Sequence, residues 1–180
     1  TSAVQGNCRG DHKRDCSGTY VTLKIGLLSD THSYLDPKIF EHFQTCDEIW
    51  HAGDVGDPAV ADALEKFKPL RAVFGNIDDK DLQTRFPEDI RFVCEGLSIW
   101  MTHIGGTPPN YNPRVKKLLK ESVPDLFMCA HSHILRVKKD PKLNMLYTSP
   151  GAAGNHGFHS MKTIIRMEIL EGKVGKMEVI

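Results

Sequence analysis

Seven side chains with oxygen or imidazole donors stand where short apolar runs end. They are Asp30 and His32 after LKIGLLS, Asp54 after EIWHAG, Asn76 after LRAVFG, His103 after LSIWMT, and His131 and His133 after DLFMCA. None is a thiol, so the set favours a hard or borderline divalent cation over a structural sulfur-bound zinc. One ion needs three or four ligands; seven suffice for two ions if one carboxylate bridges and water completes the shells. Asp54 is the best bridge, because Gly53 beside it lets the backbone approach with no side chain in the way. Asp30-Thr31-His32 and His131-Ser132-His133 each place two donors two residues apart, which an extended or turning backbone aims at neighbouring positions. Taken singly, each has a plain structural role: Asp30 capping a turn, Asn76 holding an Asx-turn, His103 as a satisfied core imidazole. Their recurrence at five strand ends points to metal chemistry instead.

The elements that must position them follow from pattern. VTLKIGLLSD, DEIWHAG and LRAVFG read as buried strands, each delivering a polar side chain at its C-terminal end, where open α/β sheets place ligands. Asp36-Pro37, Asp57-Pro58 and Asn112-Pro113 read as caps with proline in the first helical turn. They open a short helix through Phe43, the helix PAVADALEKF with Val60, Leu64 and Phe67 at helical spacing, and the helix PRVKKLLKES. Lys116, Lys117 and Lys120 of the last are read as a solvated face rather than a nucleic-acid site. RFVCEG and LSIWMTH suggest a strand pair, and from Ile134 onward the chain reads as strands and turns. Such a sequence of βα units and then antiparallel ribbons implies α/β architecture with two sheets packed together and helices outside.

Composition bounds the rest. A chain of 180 residues and 20.2 kDa accommodates one domain, expected over 21–180, after a polar opening stretch 1–20 expected to be a flexible leader or expression remnant. With 26% charged and 40% hydrophobic residues, disordered and fibrous classes are excluded. Lys+Arg and Asp+Glu both number 23, so no overall field recruits nucleic acid or anionic membrane. No apolar run reaches the roughly 18 residues of a spanning helix, and the cytoplasm is the expected compartment. Of five cysteines, Cys46, Cys94 and Cys129 read as small buried hydrophobes, and Cys8 and Cys16 with His12 lack the second pair that a zinc site needs.

The blocks LLSDTH, HAGDVGD, FGNID, THIGG and CAHSH resemble, in order and context, the signature blocks of the calcineurin-like metallophosphoesterases over about residues 25–157. Size and the GNxD block are most similar to the small bacterial and archaeal phosphodiesterase subgroup, related in fold to the retromer scaffold subunit. The resemblance implies a β-sandwich of two sheets flanked by helices on both sides, in four layers. It implies a first ion held by Asp30, His32, Asp54 and His133 and a second by Asp54, Asn76, His103 and His131. Asp57 and Asp78 would support the site. Mixed His/Asp/Asn ligation suits Mn²⁺, with Fe²⁺, Ni²⁺ or Zn²⁺ as alternatives. The ligand histidines are each expected to present the second ring nitrogen to a carbonyl or carboxylate.

Two positions depart from the family pattern. Ile77 stands where a histidine helps protonate the leaving group, and Ala130 where glycine precedes the first histidine of the last block. The resemblance implies attack on phosphorus by a metal-bridging hydroxide. Ile77 cannot transfer a proton, which tilts the substrate toward a small phosphodiester or nucleotide-like ester with a good leaving group. A phosphomonoester or a non-catalytic scaffold role on the same fold are the alternatives. His156, in the loop PGAAGNHGFH, is a candidate substrate-rim residue, as is the stretch from Thr107 to Asn110, and Arg114 or Arg136 can fold close. Relatives of this size often pair as homodimers.

Overall fold

A computed structural model describes residues 22–180; the expected leader and the reading of Cys8, His12 and Cys16 lie outside them. The chain forms β1 (Leu23–Leu28), α1 (Lys38–His42), β2 (Glu48–His51), α2 (Pro58–Phe67), β3 (Leu70–Ala72) and α3 (Lys80–Arg85). It continues with β4 (Asp89–Cys94), β5 (Leu97–Thr102), the small hairpin β6 (Gly106–Thr107) and β7 (Asn110–Tyr111), α4 (Pro113–Glu121) and β8 (Leu126–Met128). The strands β9 (Leu135–Asp140), β10 (Met145–Pro150), β11 (Ile165–Leu170) and β12 (Lys173–Val179) complete it.

Two five-stranded sheets result, ordered β12-β11-β1-β2-β3 and β4-β5-β8-β10-β9. β1, β2 and β3 run parallel, as do β5, β8 and β10, so in both sheets several C-terminal strand ends lie on one side. Alternation along each strand splits the side chains between layers. Leu27 and Trp50 face the intersheet core with Ile99, Met101 and Leu126, while Leu28 and Ile49 face outward to Ile39, Val60 and Leu64 of the helices. Trp100 and Phe127 do the same on the other sheet, packing on Val115 and Leu119 of α4. The four-layer sandwich is therefore as the sequence implies. Phe43 lies so close to β1 that a Cβ at Gly26 would sit 2.6 Å from its ring.

Asp57 and Asn112 cap α2 and α4 through the N–H groups of Ala59 and Arg114, as their Asx-Pro pairs predict. The third helix, α3, is additional; Asp79 caps it, accepting from Asp81 and Leu82. Cys46 and Cys129 are buried and free, but Cys94 is disulfide-bonded, which corrects its reading as a simple packing thiol. Among the described residues no helix is long and apolar enough to cross a membrane.

Candidate metal centre

The strand-end donors gather into two adjoining triads, Asp30 with His32 and His133, and Asp54 with His103 and His131; within each, the ligand atoms lie within 4.8 Å of one another. Asp54 faces both. Its Oδ2 is 3.6 Å from His32 Nε2 and its Oδ1 is 3.2 Å from His103 Nε2. Donors from both sheets thus converge because parallel β1 and β2 and the ends of β5 and β8 all terminate at one rim. Asn76 sits exposed in the turn Gly75–Asp78, whose Ile77 N–H donates to Asp54 Oδ1 at 3.1 Å.

The backbone at these positions is unusual. Asp30, His32, Asp54, His131 and His133 all have positive φ, between 46° and 71°. Non-glycine residues seldom adopt this left-handed region, and each instance costs on the order of 1 kcal/mol or more. The sharp reversal it produces turns the side chain out of the strand line toward the rim.

The residues fit divalent cations. Asp30 Oδ1 and His103 Nε2 are buried and make no hydrogen bond, their near neighbours being other ligand atoms: His133 Nε2 at 3.2 Å and Asp54 Oδ1 at 3.2 Å. His32 Nε2 and His133 Nε2 approach to 3.3 Å. Buried lone pairs crowded together in this way are the donor set that a cation satisfies. Burial, helped by neighbouring His32 and His159, pushes His133 down to about 4, and burial also lowers His32 and His131. These imidazoles are therefore neutral at physiological pH, the ligating form. Burial disfavours a charged His103, but the Asp54 and Asp30 carboxylates outweigh it and hold that ring above its ordinary value. Burial likewise works against ionised Asp54, yet His103, the Ile77 N–H and His32 prevail and lower it. Burial pushes Asp30 up to about 6.

Four further residues hold the ligands in place. Ser29 Oγ lies 2.6 Å from Asp30 Oδ2 and 2.7 Å from the Gly151 carbonyl oxygen, fixing the carboxylate so that Oδ1 faces the triad. His103 donates Nδ1–H to the Ala52 carbonyl at 2.8 Å, freeing Nε2; it is the one ligand histidine among the described residues with such a bond. Asp78, buried, accepts from Gly56 N–H and Gly75 N–H, both at 2.7 Å, and so clamps the loop after Asp54 to the loop carrying Asn76. Asp57, expected beside the ligands, is exposed and caps α2 instead. His51 is fully buried beneath the site. Its Nδ1 accepts from Gly53 N–H (3.2 Å), so Nε2 carries the proton and donates to Thr31 Oγ1 (3.0 Å), which donates to the Val55 carbonyl (3.0 Å). Burial pushes His51 down to about 3, which locks that neutral form. Thr31, between two ligands, was the signal in the sequence; nothing there marked His51 as its partner.

At the rim, the exposed ring of His156 lies 4.8 Å from His32, and the half-buried ring of His159 lies 5.3 Å from His133. Ile77 is 44% exposed. Arg114 is engaged by Asp89 and Glu88, whereas Arg136 lies beside His131 in a cleft and donates to Thr107 Oγ1 at 2.5 Å.

A two-layered sheet core with paired Asp/His triads at its rim is the arrangement of a metal-dependent phosphoesterase. The chain belongs to the calcineurin-like phosphoesterase superfamily, whose domain profile matches residues 23–172. It is 30% identical over 137 residues to a probable metallophosphoesterase of Methanocaldococcus jannaschii, covering 73% of this chain and 68% of that one. Among solved structures, an archaeal phosphodiesterase superposes with a TM-score of 0.69 at 20% identity, over 88% of this chain and all of that one. Vps29 of Chaetomium thermophilum superposes equally, 0.69 at 18% identity over 88% and 97%.

Proposed function

We propose that this phosphoesterase hydrolyses small phosphodiesters with good leaving groups. The observation that carries the reading is Asp54, whose two carboxylate oxygens each face one triad. Asp30, His32, Asp54 and His133 would hold one divalent cation and Asp54, Asn76, His103 and His131 the second, with Mn²⁺ the ion that this donor set suits best and Fe²⁺, Ni²⁺ or Zn²⁺ the alternatives. When bound, such a pair lowers the pKa of water toward neutrality and neutralises phosphoryl oxygens as charge develops.

The chain's own residues then set the preference. Ile77 presents an aliphatic side chain where a proton donor would serve a poor leaving group. Arg71, Arg85, Arg114 and Arg166 are each tied to carboxylates. Few cationic clamps therefore face the phosphate, which suits a diester monoanion better than a monoester dianion. His156 beside His32 is the rim residue placed to meet the substrate, and Asp78 keeps the ligand loops in register. A cytoplasmic enzyme acting on small esters is the corresponding cellular reading.

The test loads the protein with Mn²⁺ and compares bis(p-nitrophenyl) phosphate with p-nitrophenyl phosphate. Preferential turnover of the diester, lost in Asp54→Asn together with bound metal, supports the reading. Metal bound without turnover of either ester supports a scaffold role on this fold.

A further inference from the structure

The loop between β10 and β11 runs directly against the triad of Asp30, His32 and His133. Ala153 N–H donates to the Ser29 carbonyl at 2.9 Å and Gly154 N–H to the Asp30 carbonyl at 3.0 Å, so the strand end that carries Asp30 is bonded to this loop. Further along, Gly157 has φ of 119°, a conformation open to glycine and strained for other residues. A Cβ there would lie 2.3 Å from His133 Nδ1 and 3.2 Å from His159 Nδ1. Both nitrogens therefore face the one small space that the glycine leaves, and the two rings meet edge to face at 73°, with 5.3 Å between centroids.

What the two nitrogens carry follows from the partners of the opposite ring positions. His133 turns Nε2 to the triad, 3.2 Å from Asp30 Oδ1 and 3.3 Å from His32 Nε2. A ligating Nε2 is unprotonated, which puts the proton of the neutral ring on Nδ1. That N–H has no acceptor among the described residues. His159 holds the complementary tautomer. Its Nε2 lies 3.1 Å from the Gly154 carbonyl, which only accepts, so Nε2 carries the proton and Nδ1 the lone pair. This Nδ1 is buried and unpartnered. A donor lacking an acceptor and an acceptor lacking a donor thus border the same gap, and pairing satisfies both.

Resting on metal ligation by Asp30, His32, Asp54 and His133 as proposed above, we infer that His159 is the positioning residue of His133, its Nδ1 accepting the His133 Nδ1–H when the first triad holds an ion. The pairing keeps His133 Nε2 turned toward Asp30, and the Gly154 carbonyl fixes His159 in turn. Because Gly154 N–H also holds Asp30, one loop sets two ligands of the first ion. Among the described residues it makes no hydrogen bond to Asn76, His103 or His131; the His103 ring is fixed from Ala52 instead. The expected carbonyl behind a ligand histidine is thus present at His103, and at His133 a second imidazole takes its place.

The test titrates Zn²⁺, buffered by a competing chelator, into the full chain carrying ¹⁵N-labelled histidine. Each triad is followed through its own rings, His32 and His133 for the first, His103 and His131 for the second. In the unaltered chain both triads are expected to fill, with His133 Nδ1–H in slow exchange and His159 in the Nε2–H form. His159→Phe keeps a ring in the loop but removes the acceptor. It is expected to weaken filling of the first triad by about 10–100-fold, with the second retained, and to abolish the slowly exchanging N–H. His159→Asn places a side-chain oxygen near the position of Nδ1 and is expected to recover most of the loss, which an effect of packing alone would not allow. First-triad filling that is unaltered in His159→Phe, weakened equally at both triads, or not recovered in His159→Asn overturns the inference and leaves the metal reading intact. Zn²⁺ that saturates neither triad of the unaltered chain refutes the metal reading, and the inference falls with it.

Discussion

Gly75 leaves room for Asp54 and for nothing else: a Cβ built at residue 75 overlaps the Asp54 carboxylate and its backbone nitrogen. The glycine belongs to the turn whose Ile77 N–H donates to Asp54 Oδ1, so the shared ligand and the Asn76 loop touch with no intervening side chain. Gly75→Ala must therefore displace the carboxylate that faces both triads. The substitution is expected to lower bound metal from two ions per chain and to reduce turnover by about 100-fold, with a stability loss of about 1–3 kcal/mol from overpacking. Metal analysis of the purified variant checks it; two tightly bound ions at full turnover would mean the approach of these loops is irrelevant.

Asp78 and Asp57 both flank the ligand loops in sequence but do different work. Asp78 satisfies two backbone N–H groups from separate loops, whereas Asp57 satisfies one at an exposed helix start. Asp78→Ala strands both partly or fully buried donors at about 1–3 kcal/mol each, so it is expected to destabilise by about 2–4 kcal/mol and to weaken metal retention. Asp57→Ala should cost only about 1 kcal/mol and leave metal content unaltered. Chemical denaturation with parallel metal analysis separates the two, and equal effects would contradict the clamp.

Much of this was legible in the sequence because strand ends announce themselves: an apolar run followed by Asp, His or Asn needs only a parallel sheet to become a rim of ligands. LLSDTH, HAGD and CAHSH each carry that pattern. What stayed hidden depends on long-range register. Asp57 and Asp78 are equivalent as acidic residues in loops, and only the fold shows that one reaches two loops while the other caps α2. The role of His51 stayed hidden because its partner Thr31 lies on a neighbouring strand end, 20 residues away. The left-handed backbone at five ligands was equally invisible, since aspartate and histidine carry no mark of positive φ as glycine does. The β6–β7 hairpin was missed because its strands are two residues each, too short for any alternation to register.

The Asp30 carboxyl makes stability depend on pH. Burial raises it from an ordinary 3.8 to about 6. Between those values the folded protein keeps a proton that the unfolded chain has released, so stability falls as pH rises through that window, and the full cost stands above about pH 6. The gap from 3.8 to about 6 corresponds to at most about 3 kcal/mol. In chelator at pH 7.5, Asp30→Asn is expected to unfold at higher temperature than the unaltered chain, with the difference vanishing near pH 4. Added Mn²⁺ reverses the order, because the ion binds the charged carboxylate more strongly than a neutral amide. His51 acts with the opposite sign. Burial holds it down near 3, so the unfolded chain binds the extra proton and stability falls as pH drops below its ordinary 6.5. A variant lacking that imidazole should lose this acid-side slope. Unfolding curves in chelator from pH 4 to 8 measure both, and an Asp30→Asn chain no more stable at pH 7.5 would refute the burial cost.

Backbone strain at the ligands predicts an inversion of a familiar order. In helices and strands, alanine is more stabilising than glycine because glycine loses more chain entropy on folding. His131 is exposed and has φ of 71°, where any Cβ is penalised and glycine is not. His131→Gly and His131→Ala both delete the imidazole and its metal contact, so both should lower turnover alike. In chelator, however, the glycine variant should be the more stable by about 1 kcal/mol, a shift of roughly 2–4 °C in Tm for a chain of this size. The same pair at exposed Val93, which lies in β4 and is absent from the positive-φ residues, should show the ordinary order. If alanine is the more stable at both positions, residue 131 is not strained in solution, and the reversal that aims its ring at the second triad must come from elsewhere.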